Sequence, residues 1–173
     1  MNLFENALNL GLFLGRRRYI PKNRREESIS EFIQFTKHTD KCLKIVAGEL
    51  DPGFYERTDV IESFEEILSK NRTIKILFHR EQDMNRVLAR IKTENKKLYA
   101  LKQKYGDSLQ IYWSPLRPES HYATVDQKHL FFEGYHKENE PRDTYFRYNS
   151  KETKTFFDKF DTFLGKDMIK KVL

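Results

Sequence analysis

The sequence predicts an α/β protein with a mixed sheet flanked by helices. Two observations carry this reading. Between residues 42 and 113, short apolar runs alternate with amphipathic stretches as strand–helix–strand–helix–strand, the pattern of parallel strands joined by crossover helices. From residue 121 the order changes to consecutive strands and one closing helix. The chain of 173 residues and 20.9 kDa has the length of a single domain. Its 14 Phe and 9 Tyr supply a core that a disordered chain lacks.

Taken in order, residues 26–39 read as a helix with Ile29, Phe32, Ile33 and Phe35 on its apolar side. Residues 42–47 (CLKIVA) are an apolar strand, and Asp51-Pro52-Gly53 marks a turn in the loop 48–55. The 3–4 spacing of Val60, Ile61, Phe64, Ile67 and Leu68 predicts a helix over 58–70. Residues 73–78 (TIKILF) form the second strand. Met84, Val87, Leu88, Ile91, Leu98, Leu101 and Tyr105 predict one long helix over 82–105, with Gly106 as its stop. Residues 109–113 (LQIYW) form the third strand, and Trp113 reads as core or rim. Residues 121–126 and 129–134 then read as a hairpin about Gln127-Lys128, with another strand over 144–149. A final helix over 151–164 carries Phe156, Phe157, Phe160, Phe163 and Leu164 as a core stripe.

Composition narrows the function classes. The lone cysteine, Cys42, excludes an intrachain disulfide framework and a Cys-based zinc cluster. No run approaches the roughly 18 apolar residues of a membrane span, and no Gly-rich phosphate loop is present. No metal or cofactor is expected, and the expected location is cytoplasmic. The formal net charge of +6 is unevenly placed: residues 1–25 carry +5 and residues 26–173 carry +1. The excess comes from Arg16, Arg17, Arg18, Lys22, Arg24 and Arg25. Residues 1–25 are therefore expected to be an N-terminal helix and basic arm, with 26–173 as the domain proper. Leu3, Phe4, Ala7, Leu8, Leu10, Phe13 and Leu14 precede the cations at roughly helical spacing. Positive charge follows this apolar stretch, against the order of a secretory signal. It fits three roles: a helix packed on the domain or a second copy, part of an arm reaching nucleic acid, or a membrane-surface helix with Asn2, Asn6 and Asn9 on its polar side.

One segment carries chemistry: residues 121–149, HYATVDQKHLFFEGYHKENEPRDTYFRYN. A two-residue turn would set Asp126 opposite His129 and His121 opposite Gly134. His121, Glu133 and His136 would then gather at the open end of the hairpin. Strand alternation places His129, Phe131 and Glu133 on one face. A histidine pair beside a carboxylate suits nucleophile and general-acid work near neutral pH; the same residues also suit a buried polar network. Elsewhere, His79 ends the second strand and Glu49 follows the first, the strand ends where open α/β sheets bind ligands. Asn149, with Ser150 and Glu152, reads as ligand contact or helix cap.

This segment resembles the phospholipase D superfamily, whose motif is H-x-K-x4-D-x6-G-S/G-x-N on a strand–turn–strand. His121 and Asp126 stand in the order of the motif, and six residues separate Asp126 from Glu133-Gly134-Tyr135-His136. Glu133 then stands at the first glycine and His136 at the asparagine. The upstream VAGELDPGFYE and TIKILFH are similar to the first half of that fold, so the resemblance spans roughly residues 40–165. It implies a single-motif phospholipase-D-like domain with His121 as a nucleophile forming a phosphohistidine. It also implies a homodimer, because superfamily members bring two motif copies to one site.

The departures are as informative. Ala123 stands where the family has lysine, and the stretch from His121 to Asp126 is two residues short. Losing a cation that stabilises a developing anion costs on the order of 10²–10³ in rate. Arg142 or Arg147 would have to replace it. The reading is therefore a degenerate site: catalytic positions at His121, Glu133 and His136, ligand-binding positions at Asp126, Arg147, Asn149 and Glu49, and altered or lost chemistry on nucleic acid or another phosphate-containing ligand. The alternative is an active homodimeric phosphodiesterase or nuclease using a histidine nucleophile.

Overall fold

The computed structural model describes residues 17–79, 84–116, 120–133 and 143–173. Its elements, in chain order, are β1 (Arg17–Ile20), α1 (Arg25–Thr36), β2 (Cys42–Ala47), α2 (Pro52–Tyr55), α3 (Thr58–Ser69), β3 (Thr73–Phe78), α4 (Met84–Glu94), α5 (Lys96–Tyr105), β4 (Leu109–Trp113), β5 (Tyr122–Val125), β6 (His129–Glu133), β7 (Thr144–Arg147), α6 (Glu152–Leu164) and β8 (Lys170–Lys171). The strands form one mixed sheet in the order β1-β7-β6-β5-β2-β3-β4-β8. β2, β3 and β4 are parallel, and every other pairing is antiparallel.

The parallel centre forms where the chain is richest in Ile, Val and Leu. Leu43, Ile74, Ile76, Leu109 and Ile111 are wholly buried there, as strands covered on both faces require. Residues of α1 to α5 join the larger core on one face, with Phe35, Phe64, Ile91 and Leu98 among them. On the other face α6 seals a smaller cluster through Phe160 against Val46, Leu77, Tyr122 and Leu130. No helix among the described residues is long and apolar enough to cross a membrane.

The structure departs from the sequence expectations in four places. Arg17–Ile20 is the edge strand of the sheet, paired with β7, so from Arg17 onward the expected basic arm is part of the fold; Ile20, only 1% exposed, anchors it in the core. The long helix over 82–105 is broken between α4 and α5 at Asn95. Asn95 leaves helical geometry and donates its side-chain N–H to the Leu50 carbonyl (3.2 Å). The turn Asp51-Pro52-Gly53 opens into α2, where Pro52 sits in the first turn and the Asp51 carboxylate accepts the Gly53 N–H (2.8 Å).

The fourth difference is the hairpin register. Asp126, Gln127 and Lys128 all belong to the turn, so His129 faces Val125 rather than Asp126. His121 consequently lies opposite Glu133, whose N–H donates to the His121 carbonyl (3.0 Å), and not opposite Gly134. The cause is Asp126. It adopts a left-handed conformation (φ 51°), which Asp tolerates better than most residues. Its carboxylate accepts the backbone N–H groups of Asp40, Lys41 and Cys42 at 2.9, 3.0 and 2.8 Å.

Candidate functional site

The site lies at one end of the sheet, where β2 and β3 finish and the antiparallel β5 begins. His79 follows the last residue of β3 and donates its N–H to the Gly48 carbonyl (3.3 Å) after β2. His121 precedes β5, and Glu133 closes β6 directly across from it. The three side chains form a line. His121 Nδ1 and Glu133 Oε2 are 3.2 Å apart, and His121 Nε2 and His79 Nε2 are 3.0 Å apart. The two imidazole rings are tilted, with centroids 5.3 Å apart. His121 is buried (8% exposed). A carboxylate on Nδ1 fixes the imidazole tautomer and orientation, and the His79–His121 contact requires one Nε2 to donate and the other to accept.

Glu133 also borders a cleft of about 560 Å³, within the size range of small-molecule sites. Its apolar floor includes Ile29, Phe32, Ile45, Phe54 and Phe131. Its polar rim brings together Lys22, Arg25, Ser28, Glu49, Asp51, Glu133 and Thr144. Arg25 and Asp51 form an ion pair (2.9 Å), and the Ser28 and Thr144 hydroxyls hydrogen-bond each other (2.9 Å). Glu49 is 3.8 Å from the Arg90 guanidinium. The cleft thus offers cations and carboxylates over an apolar floor.

Of the residues singled out from the sequence, the structure brings His121, Glu133 and Glu49 to this end of the sheet. Asp126 is at the opposite end of the hairpin, tying the turn to the start of β2. Arg147 is on the far face of β7, where it pairs with Glu152 of α6; the neighbouring Phe146 points into the larger core. Asn149, also left-handed (φ 51°), donates its N–H to His129 Nδ1 (3.1 Å) near the turn end. The first turn of α6 is capped at Lys151 without a side-chain hydrogen bond. His136, Arg142 and Arg16 lie outside the described residues.

The basic stretch is largely committed to pairs. Arg18 bonds Glu27 (2.8 Å) and Glu31, Arg24 bonds Glu27 (3.2 Å), and Arg25 bonds Asp51. Lys22 and Arg25, taken in the sequence as arm residues, belong to the cleft. The short turn between β1 and α1 brings them there, a placement that charge counting alone does not show. His79 was visible as a strand-end histidine; its partnership with His121 depends on a contact 42 residues apart.

A second histidine pair lies at the other end of the sheet. His38 and His129 have ring centroids 5.0 Å apart, and both pack against Tyr148. The Tyr148 hydroxyl donates to buried Glu31 (2.7 Å). Burial, then the neighbouring His38 and Lys128, push the His129 pKa down to about 4. Unfolded His129 would titrate near its ordinary value of about 6.5, so the unfolded chain takes up this proton first. Stability should be level above pH 6.5, fall between pH 6.5 and 4, and level again below. The effect should be about 2 kcal/mol after screening by water. Thermal melts of the wild type and His129→Gln across this range check it: the variant should show the shallower slope, and an equal slope would show that His129 does not set it.

No family model matches the chain, and no curated protein matches it. Solved structures do. One is TrmBL2, an archaeal chromatin protein with a novel mode of DNA binding, at TM-score 0.61 and 14% identity over 94% of this chain. Another is the phosphatidylserine synthase of Haemophilus influenzae Rd KW20, at TM-score 0.58 and 9% identity over 91% of this chain. The fold is phospholipase-D-like. The chain spans 59% of the first protein and 39% of the second, and at these identities the likeness extends to the fold alone. In this fold the Glu133–His121–His79 line lies at the ends of the central strands.

Proposed function

We propose that the chain is a phospholipase-D-like binding domain, with altered or lost chemistry, that takes a phosphate-containing ligand in the cleft beside Glu133. The observation that carries this is the engagement of both His121 ring nitrogens, one by Glu133 and the other by His79. A histidine so held directs no lone pair into the cleft. The position of the family's lysine supports the same reading. Ala123 is wholly buried, in register with Ile45 and Phe131. The described cations at the cleft are Lys22 and Arg25, which suit a phosphate at its rim. Glu49 and Glu133 suit hydroxyl or amino groups on the same ligand. A small organic phosphate bearing such groups, a nucleotide among them, fits this mixture. That a DNA-binding chromatin protein shares the fold agrees with a binding role.

The test has two arms. A phosphodiesterase and nuclease screen should find no turnover that is lost in His121→Ala. Calorimetry with nucleotides and sugar phosphates should find binding that Lys22→Gln/Arg25→Gln weakens tenfold or more, as loss of charged hydrogen bonds predicts. Binding that ignores the double variant would place the ligand elsewhere. One observation favours the active alternative: a carboxylate on His121 Nδ1 is also how a catalytic imidazole is oriented. In that case turnover would disappear in His121→Ala, and size-exclusion would show a dimer bringing two copies of His121 together.

A further inference from the structure

We propose that the sheet face beside α6, at the β1–β7 edge, is a stacking platform for single-stranded nucleic acid. Alternation along these two strands sends Ile20 and Phe146 into the larger core. It sends Arg17, Tyr19, Tyr145 and Arg147 to the opposite face. The register squares these four up: Arg17 lies opposite Arg147, and Tyr19 opposite Tyr145. The tyrosine rings are 5.1 Å apart by centroid and tilted by 39°. They are 54% and 36% exposed, two of the few large apolar side chains left open among the described residues.

Single exposed tyrosines are ordinary on a protein surface; an adjacent pair next to paired arginines is a different feature. Two guanidinium groups directly opposite each other across a strand pair repel. Glu152 takes one side of Arg147, and a bound phosphate would offset what repulsion remains. Two positions along a strand are about 7 Å apart, so a nucleotide whose base stacks on a tyrosine brings its phosphate within reach of the arginine beside it. Rings and cations in this arrangement bind any base through its face, and a duplex keeps those faces hidden. The surface faces away from the cleft, so it stands or falls independently of the cleft ligand.

The experiment is fluorescence anisotropy on the full chain at low salt, with a labelled oligothymidine of about 16 nucleotides and a duplex of equal length. The single strand should bind more tightly than the duplex. Tyr19→Ser/Tyr145→Ser should weaken it tenfold or more, while Tyr19→Phe/Tyr145→Phe should bind like the wild type. Arg17→Gln/Arg147→Gln should reduce the slope of log affinity against log salt by about 1.4, from two phosphate contacts. Lys70→Gln/Lys104→Gln, which removes two exposed cations paired with Glu66 and Glu65 away from both the cleft and the platform, should leave oligonucleotide binding unchanged. Absence of binding, equal affinity of the serine variant, or preference for the duplex would overturn the proposal. Should circular dichroism show the serine variant unfolded, photocrosslinking of wild type to an iodouracil oligonucleotide decides instead. Adducts on Tyr19 or Tyr145 support the platform, and adducts confined to other residues overturn it.

Discussion

Asp126→Ala should lower stability by about 3 kcal/mol, a melting temperature roughly 10 °C lower for a domain of this size, without altering ligand binding at the cleft. The alanine removes a carboxylate that accepts three consecutive backbone N–H groups, from Asp40, Lys41 and Cys42. Those donors precede or begin β2, the strand joining the parallel and antiparallel halves of the sheet. Hydrogen bonds to charged groups contribute about 1.5–3 kcal/mol each; three on one carboxylate are not additive, and water would reach part of the opened turn. Alanine also fits the left-handed backbone at this position poorly. Asp126→Asn should cost less, because an amide oxygen can keep the Lys41 and Cys42 bonds and asparagine accepts this conformation. Thermal melts of both variants, with ligand titrations on the folded protein, check the result. An Asp126→Ala variant that melted like wild type but lost its ligand would return Asp126 to the binding site.

This prediction reverses the part that sequence alone suggests for Asp126, and the reason shows what the chain makes legible. The three parallel strands are readable to the residue at 42–47, 73–78 and 109–113, because their Ile, Val and Leu runs have no competing explanation. β1 is not readable in the same way. Its four residues, RRYI, look like the continuation of a charged segment; pairing with β7, 124 or more residues away, makes them a strand. The break at Asn95 is equally hidden, since Leu98 and Leu101 continue the periodicity of Val87 and Ile91 while a long-range hydrogen bond to Leu50 interrupts it.

In the candidate site, alternation along β6 correctly puts Glu133 on the face of Phe131, and proximity to His121 follows even with the turn one residue off. The same one-residue difference decides which residue stands opposite His121, because strand register is a whole-number quantity. Arg147 shows the other side of this rule: Thr144 and Phe146 are the buried positions of β7, so Arg147 faces away from the cleft. Lys22 and Arg25 were legible as charge and not as location. His79 needed the parallel pairing of β2 with β3, then β5 alongside β2, before its neighbour could be known.

Ala123→Lys should not confer phosphodiester chemistry; it should destabilise the domain by about 3–5 kcal/mol. By the motif that residues 121–136 resemble, this substitution supplies a lysine two residues after the histidine. The structure argues otherwise. Ala123 has no exposed surface, and its strand neighbours in register are Ile45 and Phe131. Its methyl group contributes to the same core as Phe32 and Val125. A lysine there must bury an ammonium group without a carboxylate opposite it in register, force its stem between Ile45 and Phe131 of the cleft floor, or distort β5. Buried lysine is tolerated in this chain where a partner is supplied: Lys44, 2% exposed, bonds the Asp161 carboxylate at 2.7 Å and the Phe157 carbonyl at 3.2 Å. Position 123 offers hydrocarbon instead. Ala123→Met, with similar length and no charge, separates the two costs. If Met is also destabilising, overpacking dominates; if Met is mild and Lys severe, the charge does. A stable Ala123→Lys protein with phosphodiesterase turnover absent from wild type would show that this site lacks only the lysine. Loss of the fold would show that the packing around Ala123 does not admit a lysine.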